Sequence, residues 1–221
     1  MSVFKKFLLG VVIAVVTHVS HASLTQVSSR SSIGVGYTID WAGFGIDQTA
    51  VVSGSSLGGV TVAGASVFAV FSGATFNADF SASDSILSVF DIDAGNPVAG
   101  VFSLSFASAV RSAGAQVQAN FEGLFSGSIE AFDSLNVSLG MFAVNGTNSF
   151  SADGSAVFAG IVSDSLNIKR LEFSGFGDGA GINLLSVGDV LDTVSTVPEP
   201  AGLALVLTAL GLLTVTRRRG V

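Results

Sequence analysis

The 221-residue chain has no cysteine, three prolines, two histidines, one tryptophan and one tyrosine. Only 11% of its residues are charged, against about 25% in an ordinary soluble domain. The missing cysteines exclude a disulfide framework, a thiolate nucleophile and a cysteine metal site. The scarcity of basic residues, with a formal net charge of −7, excludes the basic face that nucleic-acid binding needs. A mean hydropathy of +0.69 excludes a disordered chain, which needs low hydrophobicity and high charge. What is abundant is glycine, 27 residues, and phenylalanine, 18 residues.

The two ends read differently from the middle. Lys5 and Lys6 precede an apolar run over 7–16, and Ser20-His21-Ala22 places small residues before Ser23. This is the layout of a secretory signal peptide over 1–22, cut by signal peptidase between Ala22 and Ser23. At the other end, Val197-Pro198-Glu199-Pro200 leads into an uncharged stretch over 201–216, followed by Arg217, Arg218 and Arg219. As a helix, 201–216 would be about 24 Å long, enough to cross a bilayer with snorkelling arginines. The arginines would stay cytoplasmic, which puts the body outside. Pro198 and Pro200 disfavour helix before them, so the motif stays extended where an enzyme can reach it.

That tail, taken as Pro198-Glu199-Pro200, hydrophobic helix and basic cluster in order, resembles the PEP-CTERM sorting signal of Gram-negative bacterial surface proteins. The resemblance covers 198–221 and implies processing by an exosortase near the Pro-Glu-Pro motif. It also implies an inner-membrane intermediate, then release or transfer to the cell surface in association with exopolysaccharide. A GPI signal is the competing reading of such a tail, and the arginine cluster argues against it.

Removing the ends, with 189–197 as a linker, leaves a body over 23–188. Both histidines, His18 and His21, leave with the signal peptide. Over 23–197 the cations are Arg30, Arg111, Lys169 and Arg170, against 15 of the 16 acids, a formal charge of −11. Period-2 alternation dominates: Ile33, Val35, Tyr37, Ile39 and Trp41; Phe102, Leu104 and Phe106; Val117, Ala119 and Phe121; Leu135, Val137, Leu139 and Met141. These patterns predict half-buried strands. Asn145-Gly146, Asp153-Gly154 and Asp178-Gly179 predict tight turns, and 54–59 a flexible loop. No helical period of ten or more residues appears. The expected fold is all-β, an antiparallel β-sandwich or jelly roll filled by phenylalanines. The stretch 160–187 also resembles the closing strands of β-sandwich domains in the same class of proteins. Ile182-Asn183-Leu184-Leu185 lacks the aspartate usual there.

Candidate chemistry is sparse. Without His or Cys in the body, a Ser-His-Asp triad and an ordinary zinc site disappear. Lys169 is the one lysine for Ser-Lys catalysis, and Glu122 and Glu130 are candidates for a glycosidase pair. Asp91 and Asp93, in Asp91-Ile92-Asp93-Ala94-Gly95-Asn96, partly mimic a calcium loop. The full ligand pattern is absent, and a polar turn closed by Pro97 is the simpler reading. Trp41 and Tyr37 could form a sugar platform, but sharing a face with Ile33, Val35 and Ile39 predicts that both are core. Asn136 and Asn145 head glycosylation sequons that read as chance matches. The reading is therefore a non-enzymatic, exported surface or matrix protein with a structural or adhesive role. The alternative is a carbohydrate- or calcium-binding surface module without other cofactors.

Overall fold

The computed structural model describes residues 23–34, 36–64, 66–71, 75–89, 101–177 and 179–188. The signal-peptide residues 1–22, the calcium-like Asp91 and Asp93, the linker and the sorting motif (Pro198, Glu199, Pro200, Arg217, Arg218, Arg219) lie outside them. No helix among the described residues is long and apolar enough to cross a membrane.

The described chain is an all-β, two-layer antiparallel sandwich. Its strands are β1 (Leu24–Val27), β2 (Gly36–Ile39), β3 (Thr49–Val51), β4 (Ser56–Leu57), β5 (Val60–Gly64), β6 (Val67–Phe71), β7 (Ser85–Val89) and β8 (Phe102–Val110). They continue as β9 (Ser112–Ala119), β10 (Gly123–Phe132), β11 (Ser138–Asn148), β12 (Val157–Ser163), β13 (Ile168–Ser174), β14 (Ala180–Ile182) and β15 (Leu185–Gly188). Two 3-10 turns, η1 (Arg30–Ile33) and η2 (Trp41–Phe44), flank β2. One sheet runs β1-β12-β9-β14-β7-β6-β3, with β15 joining β9 and β2 beside β14; the other runs β11-β10-β13-β8-β5-β4.

The phenylalanine alternation sets the core. Phe102, Leu104 and Phe106 of β8 face Val60 and Val62, Leu171 and Phe173, and the inward side chains of the first sheet, Leu87, Ala115, Val117 and Ile161. Phe102 stacks on Phe173 at 5.1 Å between centroids. Serines at 103 and 105 alternate outward, as expected for a strand with one wet face.

The first sheet departs from that rule. β9 is buried on nearly every residue, although Gln116 and Gln118 suggested a solvated face. A second apolar cluster explains it: Val70 and Ile86, on the opposite face to Ala69 and Leu87, pack against Phe76, Ala78 and Phe80. Residues 75–84 thus cover the outer face of the first sheet. η1 covers the same face further along, with Ile33 buried and the Arg30 guanidinium 5.5 Å from the Phe158 ring.

Several expected features are corrected. The Ile33-to-Trp41 strand is only β2, four residues long, because its ends wind into 3-10 turns. Trp41 is buried while Tyr37 is 45% exposed. Leu135 and Val137 are not strand core. They project from the β10–β11 turn, at 79% and 56% exposure, because Asp133 Oδ1 accepts from the Leu135 and Val137 amides and closes the chain there. Met141 lies on β11 but 63% exposed, on the outer face beside Glu130. Asn145-Gly146 is mid-strand, opposite Ser126 and Phe125. Residues 54–59 contain β4, paired with β5.

Candidate functional site: the β10–β11 groove

Among the described residues, 75–84 and η1 cover the outside of the first sheet, while the outer face of the second sheet and the rim where β11 meets β1 and β12 carry exposed side chains. β10 and β11 form a long hairpin, in register from Gly123↔Asn148 to Ala131↔Gly140. Near its open end Leu124, Ser126, Asn145 and Thr147 share the outer face, since directly paired residues project to the same side. Phe125 and Gly146 form the next pair, on the inner side. A Cβ on Gly146 would lie 2.5 Å from Phe125 Cζ and 2.6 Å from Val157 Cγ2. Glycine at 146 is therefore a packing requirement: it lets the Phe125 ring lie against the β11 backbone.

The result is an open groove of about 560 Å³, lined by Leu124, Phe125, Ser126, Asn145, Gly146 and Thr147. Asn145 also lines a second depression of about 410 Å³ that rounds the sheet edge to Gln26, Ser28, Val157 and Phe158. The Gln26 carboxamide is fixed there by donating to the Ala143 carbonyl at 2.9 Å. None of these lining side chains is charged, although 23–197 carries a formal charge of −11. The groove offers two carboxamides and three hydroxyls, each able to donate and accept, beside an apolar wall in which Leu124 is 82% exposed. That set complements a neutral polyol, which presents many hydroxyls and apolar C–H patches but no charge.

The residues singled out from the sequence fall elsewhere. Glu122 precedes β10 and Glu130 sits near its far end, roughly 25 Å away at strand rise. Glycosidase carboxyls stand within about 10 Å of each other, so these two do not form such a pair. Glu130 instead lies directly opposite Glu172 on β13. Glu172 accepts from Arg170 Nη1 at 2.5 Å, and the Arg170 guanidinium lies 3.7 Å from the Phe132 ring centroid. Lys169 Nζ donates to the Ala107 carbonyl at 2.6 Å. Trp41 is no platform: its indole N–H donates to the Asn183 carbonyl at 2.8 Å, and its ring stacks on Phe44. Of the proposed cleavage pair, Ser23 is described, and its amide donates to Asp164 Oδ2 at 3.0 Å. No group of three metal-ligating side chains occurs among the described residues.

Sequence reasoning missed Asn145 and Gln26 as a pair. Their juxtaposition depends on the edges of two different sheets meeting, and no periodicity within one strand announces that.

No family model matches the chain, and no curated protein matches it. Among solved structures it is similar to a mutant of CBM29-2, a family 29 carbohydrate-binding module, at 18% identity. That match covers 80% of this chain and 99% of the other, with a TM-score of 0.35. It is also similar to CsCBM6-3 from Clostridium stercorarium, solved with cellobiose, at 12% identity over 70% of this chain and 99% of that one, TM-score 0.36. A family 32 module from C. perfringens NanJ, solved with galactose, matches at 12% identity over 57% of this chain and 93% of that one, TM-score 0.34.

Proposed function

We propose that the chain is an exported cell-surface protein whose β-sandwich body is a non-catalytic module binding neutral polysaccharide in the β10–β11 groove. The observation that carries the binding reading is the pair of linked, uncharged depressions meeting at Asn145, lined by Gln26, Ser28, Ser126 and Thr147 and walled by Leu124. An acidic protein that leaves one concave surface free of charge, and furnishes it with amides and hydroxyls, is suited to a neutral hydroxyl-rich partner. The export reading rests on the sequence. The signal-peptide layout at 1–22 and the tail at 198–221 agree on the same orientation, and the tail makes an exosortase the processing enzyme. An exopolysaccharide at the cell surface would then be the partner within reach.

Affinity electrophoresis of the full chain in detergent, through gels containing a panel of neutral polysaccharides, tests the binding reading. Retardation by at least one of them is expected. Asn145→Ala and Leu124→Ala, both at exposed side chains, should weaken it by roughly tenfold without altering the melting temperature, as for loss of a central contact. Equal mobility in every gel, or retardation indifferent to both substitutions, overturns the reading. Intact mass of the mature protein tests processing: it should correspond to a chain beginning at Ser23 and ending near Pro198–Pro200.

A further inference from the structure

We propose that the end of the sandwich carrying Leu135, Val137 and Leu166 rests on a lipid bilayer, with these aliphatic side chains entering the headgroup region of a zwitterionic leaflet. The proposal rests on the export reading above, in which 201–216 spans the membrane, and adds which surface of the body meets the lipid.

Residues 133–137 join β10 to β11, and Asp133 fixes the turn. Its Oδ1 accepts from the Leu135 and Val137 amides at 2.8 and 2.9 Å. Its own amide donates to the Val137 carbonyl at 3.0 Å, and its carbonyl accepts from the Asn136 amide at 3.1 Å. Turns are ordinarily polar, yet two of these five side chains, Leu135 and Val137, are branched aliphatics held in the open. Leu166, in the β12–β13 turn over 164–167, is 46% exposed. The two turns are neighbours: Phe132 pairs with Arg170, three residues before Leu135 and four after Leu166. A cluster of exposed apolar side chains marks an interaction surface. The carboxylates of these turns are engaged. Asp133 closes its own turn, and Asp164 accepts from the Ser23 amide at 3.0 Å and from the Ser165 hydroxyl at 2.8 Å.

Where the chain leaves the body names the occupant. Ser23 is bonded to Asp164, and a Cβ on Gly140 would lie 3.1 Å from Leu24 Cδ1, which puts the start of β1 beside both turns. Gly188 pairs with Ser112, and Ser112 with Val162, so β15 finishes beside the end of β12. The signal sequence and the tail therefore both attach at this end. Twelve residues, 189–200, separate Gly188 from the apolar stretch, and fully extended they reach about 40 Å. β11 alone is about 35 Å long at strand rise. The opposite end could meet the same bilayer only if those twelve residues ran extended along the whole body. For the near end, contact with the lipid is an intramolecular event at high effective concentration, so a few apolar side chains in the interface are enough. The formal charge of −11 over 23–197 disfavours an anionic surface, which makes zwitterionic lipid the fitting one. The groove at Leu124 and Asn145, toward the other end of the hairpin, then faces away from the membrane.

The chain has no cysteine, so one introduced thiol carries one label. Leu135→Cys, Leu124→Cys and Ala209→Cys, each bearing a polarity-sensitive fluorophore, are compared in the full chain reconstituted into phosphatidylcholine liposomes, with and without quencher-bearing lipid. The label at 135 should shift to the blue and be quenched by the lipid, the label at 124 should do neither, and the label at 209 should do both. Quenching at 209 without quenching at 135 overturns the proposal and leaves the export reading standing. No quenching at 209 overturns the export reading and the proposal with it. Equal quenching at 135 and 124 removes the orientation and overturns the proposal. A blue shift at 135 without lipid quenching assigns the tip to a second copy of the chain and also overturns it. With the label moved to Leu166→Cys, the double substitution Leu135→Ser and Val137→Ser should lose most of the lipid quenching. Quenching at 166 that is indifferent to the double substitution overturns the proposal as well.

Discussion

Asn183 donates from Nδ2 to Asp84 Oδ2 at 3.0 Å, and this bond ties the end of the segment that covers the first sheet to the bend between β14 and β15. The same Nδ2 donates to Gln116 Oε1 at 2.6 Å. Asn183 Oδ1 accepts from Arg30 Nη2 and from the Gln116 amide, both at 3.3 Å. Two covering elements, η1 and 75–84, therefore meet on one carboxamide that is 3% exposed. Removing it leaves several buried polar groups unpaired, each costing about 1–3 kcal/mol. Asn183→Ala should lower unfolding free energy by about 3 kcal/mol, read as a shift of the urea midpoint at unchanged slope. Asn183→Asp should cost at least as much near neutral pH, because a carboxylate then faces Asp84, and should recover partly on acidification. A midpoint unchanged in both variants would mean that water replaces the network.

Asp79 makes stability depend on acid in a stated direction. Its side chain is buried, which alone would raise its pKa. It nevertheless accepts from the Ser149 and Ser151 amides, Ser149 Oγ and Gln118 Nε2. These bonds outweigh burial and hold the carboxyl below its ordinary value. A folded-state pKa below the unfolded one gives stability that is fully present above the unfolded pKa, about 3.9. That stability is lost as pH falls through the folded pKa. Acid unfolding should therefore steepen below about pH 4, and Asp79→Asn should flatten it. The 149–152 segment, where Phe150 and Ala152 sit at φ of 58° and 50°, should be the first to gain hydrogen exchange.

Glu130 and Glu172 stand opposite one another, and Arg170, two residues before Glu172 on β13 and opposite Phe132, bonds only Glu172. Directly opposed like charges destabilise a strand pair by a few tenths to about 1 kcal/mol. Glu130→Gln should therefore stabilise the protein by about 0.5 kcal/mol, less in high salt. Thermal melts in low and high salt check both parts. A lower melting temperature for Glu130→Gln would show that this carboxylate has a favourable partner.

What the sequence makes legible follows one rule. Alternation shows where a strand has two different faces, and it does not say what covers the second face. β8 was readable because its serine face is wet. β9 reads as half-solvated because Gln116 and Gln118 are polar, but they face a covering segment that Gln118 bonds directly at Asp79 and Gln116 reaches through Asn183, which bonds Asp84. Tyr37 was misread because two 3-10 turns break the apparent strand around it. Asn145-Gly146 has the composition of a hairpin turn, but Phe125 across the pair demands the glycine. The candidate groove was hidden for the same reason: Gln26 and Asn145 belong to strands far apart in the chain, at the edges of different sheets.

Gly146→Ala tests whether the groove depends on that glycine. The added methyl would meet Phe125 Cζ and Val157 Cγ2 at 2.5 and 2.6 Å, so the ring must move. Overpacking of this kind costs about 1–3 kcal/mol. The variant should melt lower and also lose polysaccharide retardation, because moving the inward-facing Phe125 ring displaces the Phe125–Gly146 backbone pair beneath the groove. Gly123→Ala makes a useful control, since its Cβ meets nothing within 4 Å. It is strained only by a φ of 112°, and it should keep the binding surface while losing some stability. Loss of binding in the control but not in Gly146→Ala would remove the groove from consideration.

The Ser23 amide and Asp164 give the last prediction, which rests on cleavage between Ala22 and Ser23. In the uncut chain the Ser23 N–H donates to Asp164 Oδ2 at 3.0 Å, and the Asp164 amide donates back to the Ser23 carbonyl at 3.1 Å. The Ser23 amide is the main cause that holds the Asp164 carboxyl below its ordinary range. Cleavage converts the same nitrogen into an α-ammonium already seated against a carboxylate, at the start of β1. The new ammonium should titrate above the ordinary α-amino range of about 7.7–8.0. A raised folded-state pKa gives stability present below the unfolded value and lost as pH rises through the folded one. The site is exposed, so the stabilisation is small and salt-sensitive, but the pKa is measurable. Dimethyl labelling of the mature N-terminus, followed by NMR titration, should find it elevated. Asp164→Asn should return it to the ordinary range. An α-amino pKa that is ordinary in the cleaved chain, or unmoved by Asp164→Asn, would show that the mature N-terminus does not dock there.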